Sequence, residues 1–168
     1  MSEKILFRET QGFRQWWILA IIIGMNGFFL LAAYFQFILK QPFGDKPMDN
    51  ISLLITFTIN LMISVLFFLF RLETSITKNQ ISVRFFPFHL KPIVFTHDQI
   101  KTLFVREYKP IREYGGWGLK GSPSNKAYNV SGNIGLQLVL NDGNKILIGT
   151  RERNKMQEIV DLFNRPNE

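Results

Sequence analysis

The apolar positions along the chain fall into two long unbroken runs followed by a region of short alternating segments. No charged residue occurs from Trp16 to Leu39, and Arg14 and Lys40 bracket the run. A second uncharged run extends from Ile51 to Phe70 and stops at Arg71. As helices these runs would measure about 36 Å and about 30 Å, against a hydrocarbon core of ~30 Å. Core helices of soluble proteins rarely carry such stretches, so the pattern predicts two membrane spans. Trp16, Trp17 and Tyr34 lie toward the ends of the first run, where amphipathic rings favour the interface. A cleaved signal peptide is the competing reading, but the run is too long for its apolar segment and no small-residue cleavage pattern follows Leu39.

The predicted division is therefore a cytoplasmic tail over residues 1–14, a first span over 15–39 and an external loop over 40–50. A second span over 51–70 and a β-rich domain over 71–168 follow. Pro42, Gly44, Pro47, Asp49 and Asn50 supply turn chemistry to the loop. Asn26 and Asn60 each fall near the middle of a span, where a buried amide seeks a partner. The two are expected to hydrogen-bond across the helical hairpin, with Gly24, Gly27 and Ser64 allowing close approach.

Beyond Arg71 the period shortens to two. Leu72 to Lys78 and Ile81 to Phe86 read as a hairpin across Asn79 and Gln80. Ile93 to Phe95 and Ile100 to Tyr108 are further strand candidates. Ile134, Leu136, Leu138 and Leu140 share one face, and Asn141-Asp142-Gly143-Asn144 turns the chain into Lys145 to Ile148. Met156, Ile159, Val160 and Phe163 have the spacing of one amphipathic helix, with Thr150 as its expected N-cap and Pro166 beyond its end. The predicted fold class is α+β: a transmembrane hairpin followed by a small antiparallel β-barrel or roll closed by one C-terminal helix.

Charge and composition narrow the functional classes. The net charge is +7, and from Arg71 onward fifteen Lys and Arg stand against nine Asp and Glu. In a tethered domain this balance points to the anionic membrane surface rather than to nucleic acid. A basic surface that only keeps the domain soluble is the plainer alternative. The chain has no cysteine, so disulfides and thiolate metal sites are excluded. Lys4, Arg8 and Arg14 precede the first span, and Arg71, Lys78 and Arg84 follow the second. The positive-inside rule then puts both termini in the cytoplasm.

The strand series with its terminal helix resembles that of bacterial membrane proteins carrying a pleckstrin-homology-like (PH-like) domain behind two transmembrane helices. Glu113-Tyr114-Gly115-Gly116-Trp117-Gly118, Ala127-Tyr128-Asn129-Val130-Ser131-Gly132 and Ile146-Leu147-Ile148-Gly149-Thr150 carry the resemblance. It implies a PH-like roll acting as a ligand or partner platform in the bacterial inner membrane, with no enzymatic activity.

The candidate binding region is the connection from Lys109 to Lys126, with Arg112, Lys120 and Lys126, the aromatics Tyr114 and Trp117, and Gly115, Gly116 and Gly118. Connections this long in compact domains are usually functional or disordered. Glycine backbone N–H groups with nearby cations suit an anion such as a phosphate headgroup. The competing role is structural, with Trp117 packed on the strands and the glycines reversing the chain. Phe85-Phe86-Pro87-Phe88 is a second candidate, either packed in the core or dipping into headgroups. His89 and His97 lack metal-ligand spacing, and no nucleophile elbow, paired carboxylates or Walker motif is present, so neither metal, cofactor nor catalysis is expected. The expected function is a membrane-anchored module docking an unidentified protein partner. Binding of anionic headgroups through residues 109–126 and service as an accessory subunit of a transport or envelope complex are the alternatives.

Overall fold

The structure is a computed structural model that describes residues 4–164, and these divide into two compact units. One is helical, residues 13–69; the other, the β unit, combines residues 4–12 with 70–164.

In the helical unit, α1 (Trp16–Ala33) continues into a π-helical turn, Tyr34–Ile38, and α2 spans Asn50–Leu69. The partners run in opposite directions: Phe13 meets Phe67, Phe29 stacks on Phe57, and Gln36 Nε2 donates to Asn50 Oδ1. The helices are thus antiparallel. Asp49 Oδ1 accepts the backbone N–H groups of Ile51 and Ser52 at 3.0 Å, satisfying donors that a helix start leaves open. Midway along, Asn60 Nδ2 donates to Asn26 Oδ1 at 3.1 Å, and Asn26 Nδ2 donates to Ser64 Oγ at 2.8 Å. The expected amide contact forms. Gly24 and Gly27 take no part in it, since a Cβ at either would meet nothing within 4 Å. Both helices are long and apolar enough to cross a membrane, and Ile23, Phe28, Leu54, Met62 and Phe68 are among the large apolar side chains they expose.

The β unit is built from two sheets, neither closed into a barrel. The first, antiparallel throughout, has the order β1 (Ile5–Gly12), β2 (Arg71–Thr77), β3 (Gln80–Phe86), β4 (Ile93–Thr96). The second contains β5 (Ile100–Glu107), β6 (Gly118–Ser122), β7 (Asn125–Asn129), β8 (Ile134–Leu140) and β9 (Lys145–Gly149), in the order β5-β8-β9-β7-β6. β7 and β9 pair in parallel, so the expectation of a wholly antiparallel barrel is corrected on both counts.

The N-terminal segment expected to be a tail is strand β1. It pairs along β2 from Ile5↔Thr77 to Gly12↔Arg71. Two buried polar side chains fasten it to the second sheet as well. Glu9, 7% exposed, accepts Thr150 Oγ1 at 2.7 Å and the Arg151 N–H at 3.0 Å, and Gln11 Nε2 donates to Gly149 O at 2.8 Å. Buried polar groups without partners cost ~1–3 kcal/mol each, so these bonds are what make a polar strand tolerable there.

Leu72, Ile76, Ile81, Val83 and Phe85 of the first sheet are buried, as are Leu103, Leu136, Leu138, Ile146 and Ile148 of the second. α4 (Arg153–Phe163) packs on β1, β5 and β8 and buries Met156, Ile159, Val160 and Phe163, the four positions its period predicts. Its N-cap position is Glu152 rather than Thr150, whose hydroxyl is turned to Glu9; Pro166 lies outside the described residues. The connection 109–126 is not a long loop. It holds the short helix α3 (Pro110–Tyr114) and the β6–β7 hairpin.

Two outcomes follow from this architecture. Residues 70–164 alone lack β1 and should not melt cooperatively, whereas residues 4–12 joined to residue 70 by a short Gly/Ser linker should, as calorimetry of both fragments would show. In the helical unit, Asn60→Ala should weaken α1–α2 association by about 1 kcal/mol, measured by steric trapping in micelles.

Candidate functional site: a basic recess beside the β6–β7 hairpin

The residues singled out between Lys109 and Lys126 separate into two groups once folded. Tyr114 is buried, its ring edge-on to Tyr108, in a small core with Ala127 and Leu147 on one face of the second sheet. Its hydroxyl accepts Arg106 Nη2 at 3.2 Å and donates to Asn125 Oδ1 at 3.3 Å. Arg106 also pairs with Glu113 at 2.8 Å. Burial pushes the Tyr114 hydroxyl above the usual tyrosine range. For Glu113, burial would raise the carboxyl, but the Lys109 N–H at 2.6 Å and the Arg106 guanidinium outweigh it and hold it below the usual value.

The glycines serve the backbone. Gly115 closes α3 in the left-handed conformation, φ 74°, and its N–H and that of Gly116 reach back to Ile111 O and Pro110 O. Gly121 has φ 95°, and a Cβ there would stand 2.0 Å from Asn125 O. Only glycine fits that strand crossing. The Gly118 N–H donates to Asn129 Oδ1, and half-buried Trp117 donates through Nε1 to Gly132 O at 3.0 Å. Arg112 is exposed on α3. The run from Tyr114 to Gly118 thus follows the structural alternative.

Lys120 and Lys126 belong to the second group. They line a recess of about 340 Å³ with His89, Ile93, Leu119, Gly121, Ser122, Pro123 and Tyr128. The hairpin supplies one wall, with Lys120 opposite Ala127 and Lys126 opposite Gly121. The turn after β3 supplies another, where His89 leans on Tyr128 with ring centroids 5.7 Å apart. The His89 Nδ1 is buried without a hydrogen-bond partner among the described residues. No carboxylate lines the recess. Such a site offers two ammonium groups, a serine hydroxyl and an imidazole beside apolar carbon, which suits an anion carrying an apolar portion.

His89, Ser122 and Tyr128 were not among the residues the sequence singled out for this site. The signal that could have found them is charge: residues 74–97 and 114–141 contain no Asp or Glu. The recess draws its walls from these two stretches. Among the described residues, no group of three or more His, Asp or Glu is arranged to hold a metal ion.

Arg106→Ala should let Glu113 titrate closer to the ordinary glutamate value. Because the folded carboxyl is depressed, Glu113 stabilises α3 at neutral pH, and that contribution is lost as pH falls through its folded pKa. The variant should flatten this acid-side loss, which carboxyl NMR titration and melting between about pH 5 and pH 3 would follow.

No protein-family model matches the chain, and no curated protein is similar to it.

Proposed function

We propose that the protein is a two-span protein of a bacterial cytoplasmic membrane whose β unit binds anionic lipid headgroups on the side holding both termini. The observation that carries this reading is the recess of Lys120, Lys126 and His89, basic and without a lining carboxylate. Two helices with apolar side chains exposed around them support the membrane assignment, since exposed apolar area on that scale is costly in water.

Topology supports a common side for the termini. If α1 and α2 both cross, β1 and the strands from β2 onward emerge in one compartment, as the β1–β2 pairing requires. The positive residues flanking the outer ends of the two apolar runs then favour the cytoplasm. A plan of two sheets with a closing helix fits the PH-like resemblance in outline, with the parallel β7–β9 pair as a departure. The role is that of a non-catalytic lipid-engaging module. Docking of a protein partner on residues 109–126 has less support, because Tyr114 is buried and Trp117 is tied to Gly132.

Full-length protein in nanodiscs containing phosphatidylglycerol should retain anionic lipid on native mass spectrometry, less so as salt rises. Replacing both Lys120 and Lys126 by Ala removes about 1 kcal/mol of attraction each, so retention should fall about 30-fold. Unchanged retention would overturn the reading.

A further inference from the structure

The turn between β3 and β4, residues 87–92, lies outside the β6–β7 hairpin and has a composition of its own. Phe88 is 62% exposed and Leu90 75% exposed, while Lys91 beside them is exposed as well. Pro87 and Pro92 bracket the turn. His89, between the two apolar residues, leans inward on Tyr128. Phe88 and Leu90 are therefore presented at the surface of the unit.

The register of the first sheet fixes where they do so. Phe86, at the end of β3, pairs with Arg71, and Arg71 pairs with Gly12. These last two are where the chain passes to and from the helical unit. The turn leaves the sheet at that same end.

Phe88 is tied more closely still. Its ring stacks on Phe70 at 5.5 Å with 13° between planes, and on Phe85 at 6.0 Å with 25°. Phe85 is 1% exposed and anchors the stack in the core. Phe70 is bonded to Leu69, the last residue of α2. Phe88 is thus held beside the residue at which the chain enters the β unit from α2.

The charges suit that position. Lys91 is exposed, and Arg71, which lies over the Phe86 ring at 5.0 Å, is exposed as well and pairs with Glu73 at 3.1 Å. From residue 74 to 97 the chain has no carboxylate. Apolar side chains flanked by cations at a span end match the boundary between acyl chains and phosphates.

We infer that the 87–92 turn is an interfacial wedge that buries Phe88 and Leu90 in the headgroup region of the bilayer that α2 crosses. The inference rests on the two-span reading, and it is independent of the Lys120–Lys126 recess. It gives the β unit a third attachment to the membrane beside the two chain connections.

The chain has no cysteine, so single labels can be placed without background. Leu90→Cys carrying an environment-sensitive fluorophore is compared with Lys78→Cys, at the opposite end of β2 and β3. Both are examined in the full chain, one copy per nanodisc, with lipids spin-labelled high or low on the acyl chain. Insertion to a depth of ~5–10 Å should make the label at 90 lose its fluorescence to the shallow quencher and the label at 78 keep it. An unquenched label at 90 would overturn the wedge. A label at 90 that is blue-shifted yet unquenched would show a protein covering the turn, and would overturn it equally. Running neutral and phosphatidylglycerol-containing discs separates the two proposals. Quenching at 90 without retained anionic lipid leaves the wedge and removes the headgroup reading, and the reverse pattern does the opposite. A chain that stays out of the discs removes both.

Discussion

The pairing of β1 with β2 is the constraint on which the rest of the β unit depends. The chain makes one strand, leaves the sheet for residues 13–70, and returns to pair beside that strand. Closing so long a loop costs entropy, though the cost grows only as the logarithm of its length. The antiparallel helices bring the two ends of that loop together, with Phe13 in contact with Phe67. Two uncharged amides and a serine hold the helices in register.

The two units obey opposite rules. In the β unit apolar side chains turn inward, and several polar ones trapped with them are bonded: Glu9 to Thr150 and Arg151, Gln11 to Gly149, Gln137 to Ile146. In the helical unit the apolar side chains face outward, and the buried positions on α2 include Asn60 and Ser64. An inside-out arrangement of that kind is stable where the surroundings are themselves apolar.

The elements governed by local periodicity were legible from sequence. The apolar runs gave the helices, alternation gave β2, β3, β5 and β8, the Asp142-Gly143 turn gave the β8–β9 hairpin, and one stripe gave α4. What was hidden depends on partners far along the chain. Ile5–Gly12 carries Arg8, Glu9, Thr10 and Gln11 and reads as a polar tail, because the groups that satisfy Glu9 and Gln11 lie at 149–151. The glycines at 115–121 signal chain reversal without saying whether it frames a ligand or a hairpin. Here positive φ at Gly115 and close approach at Gly121 decide for the hairpin. The parallel β7–β9 pair has no local signal at all. Of the candidate site, the two lysines were visible as charges, while His89 joins them only because the β3–β4 turn reaches the β6–β7 hairpin.

That meeting links the two surfaces of the β unit that suit lipid. His89 lines the recess of Lys120 and Lys126, and the residues on either side of it, Phe88 and Leu90, are exposed on the same turn. Pro87 and Pro92 fix φ at the two ends of that turn. The stack of Phe88 on Phe85, which is 1% exposed, holds the outer side of the turn to the sheet. A single turn thus presents an imidazole to a basic recess and two apolar side chains to the surface, the two chemistries that one lipid molecule joins in its charged headgroup and its acyl chains.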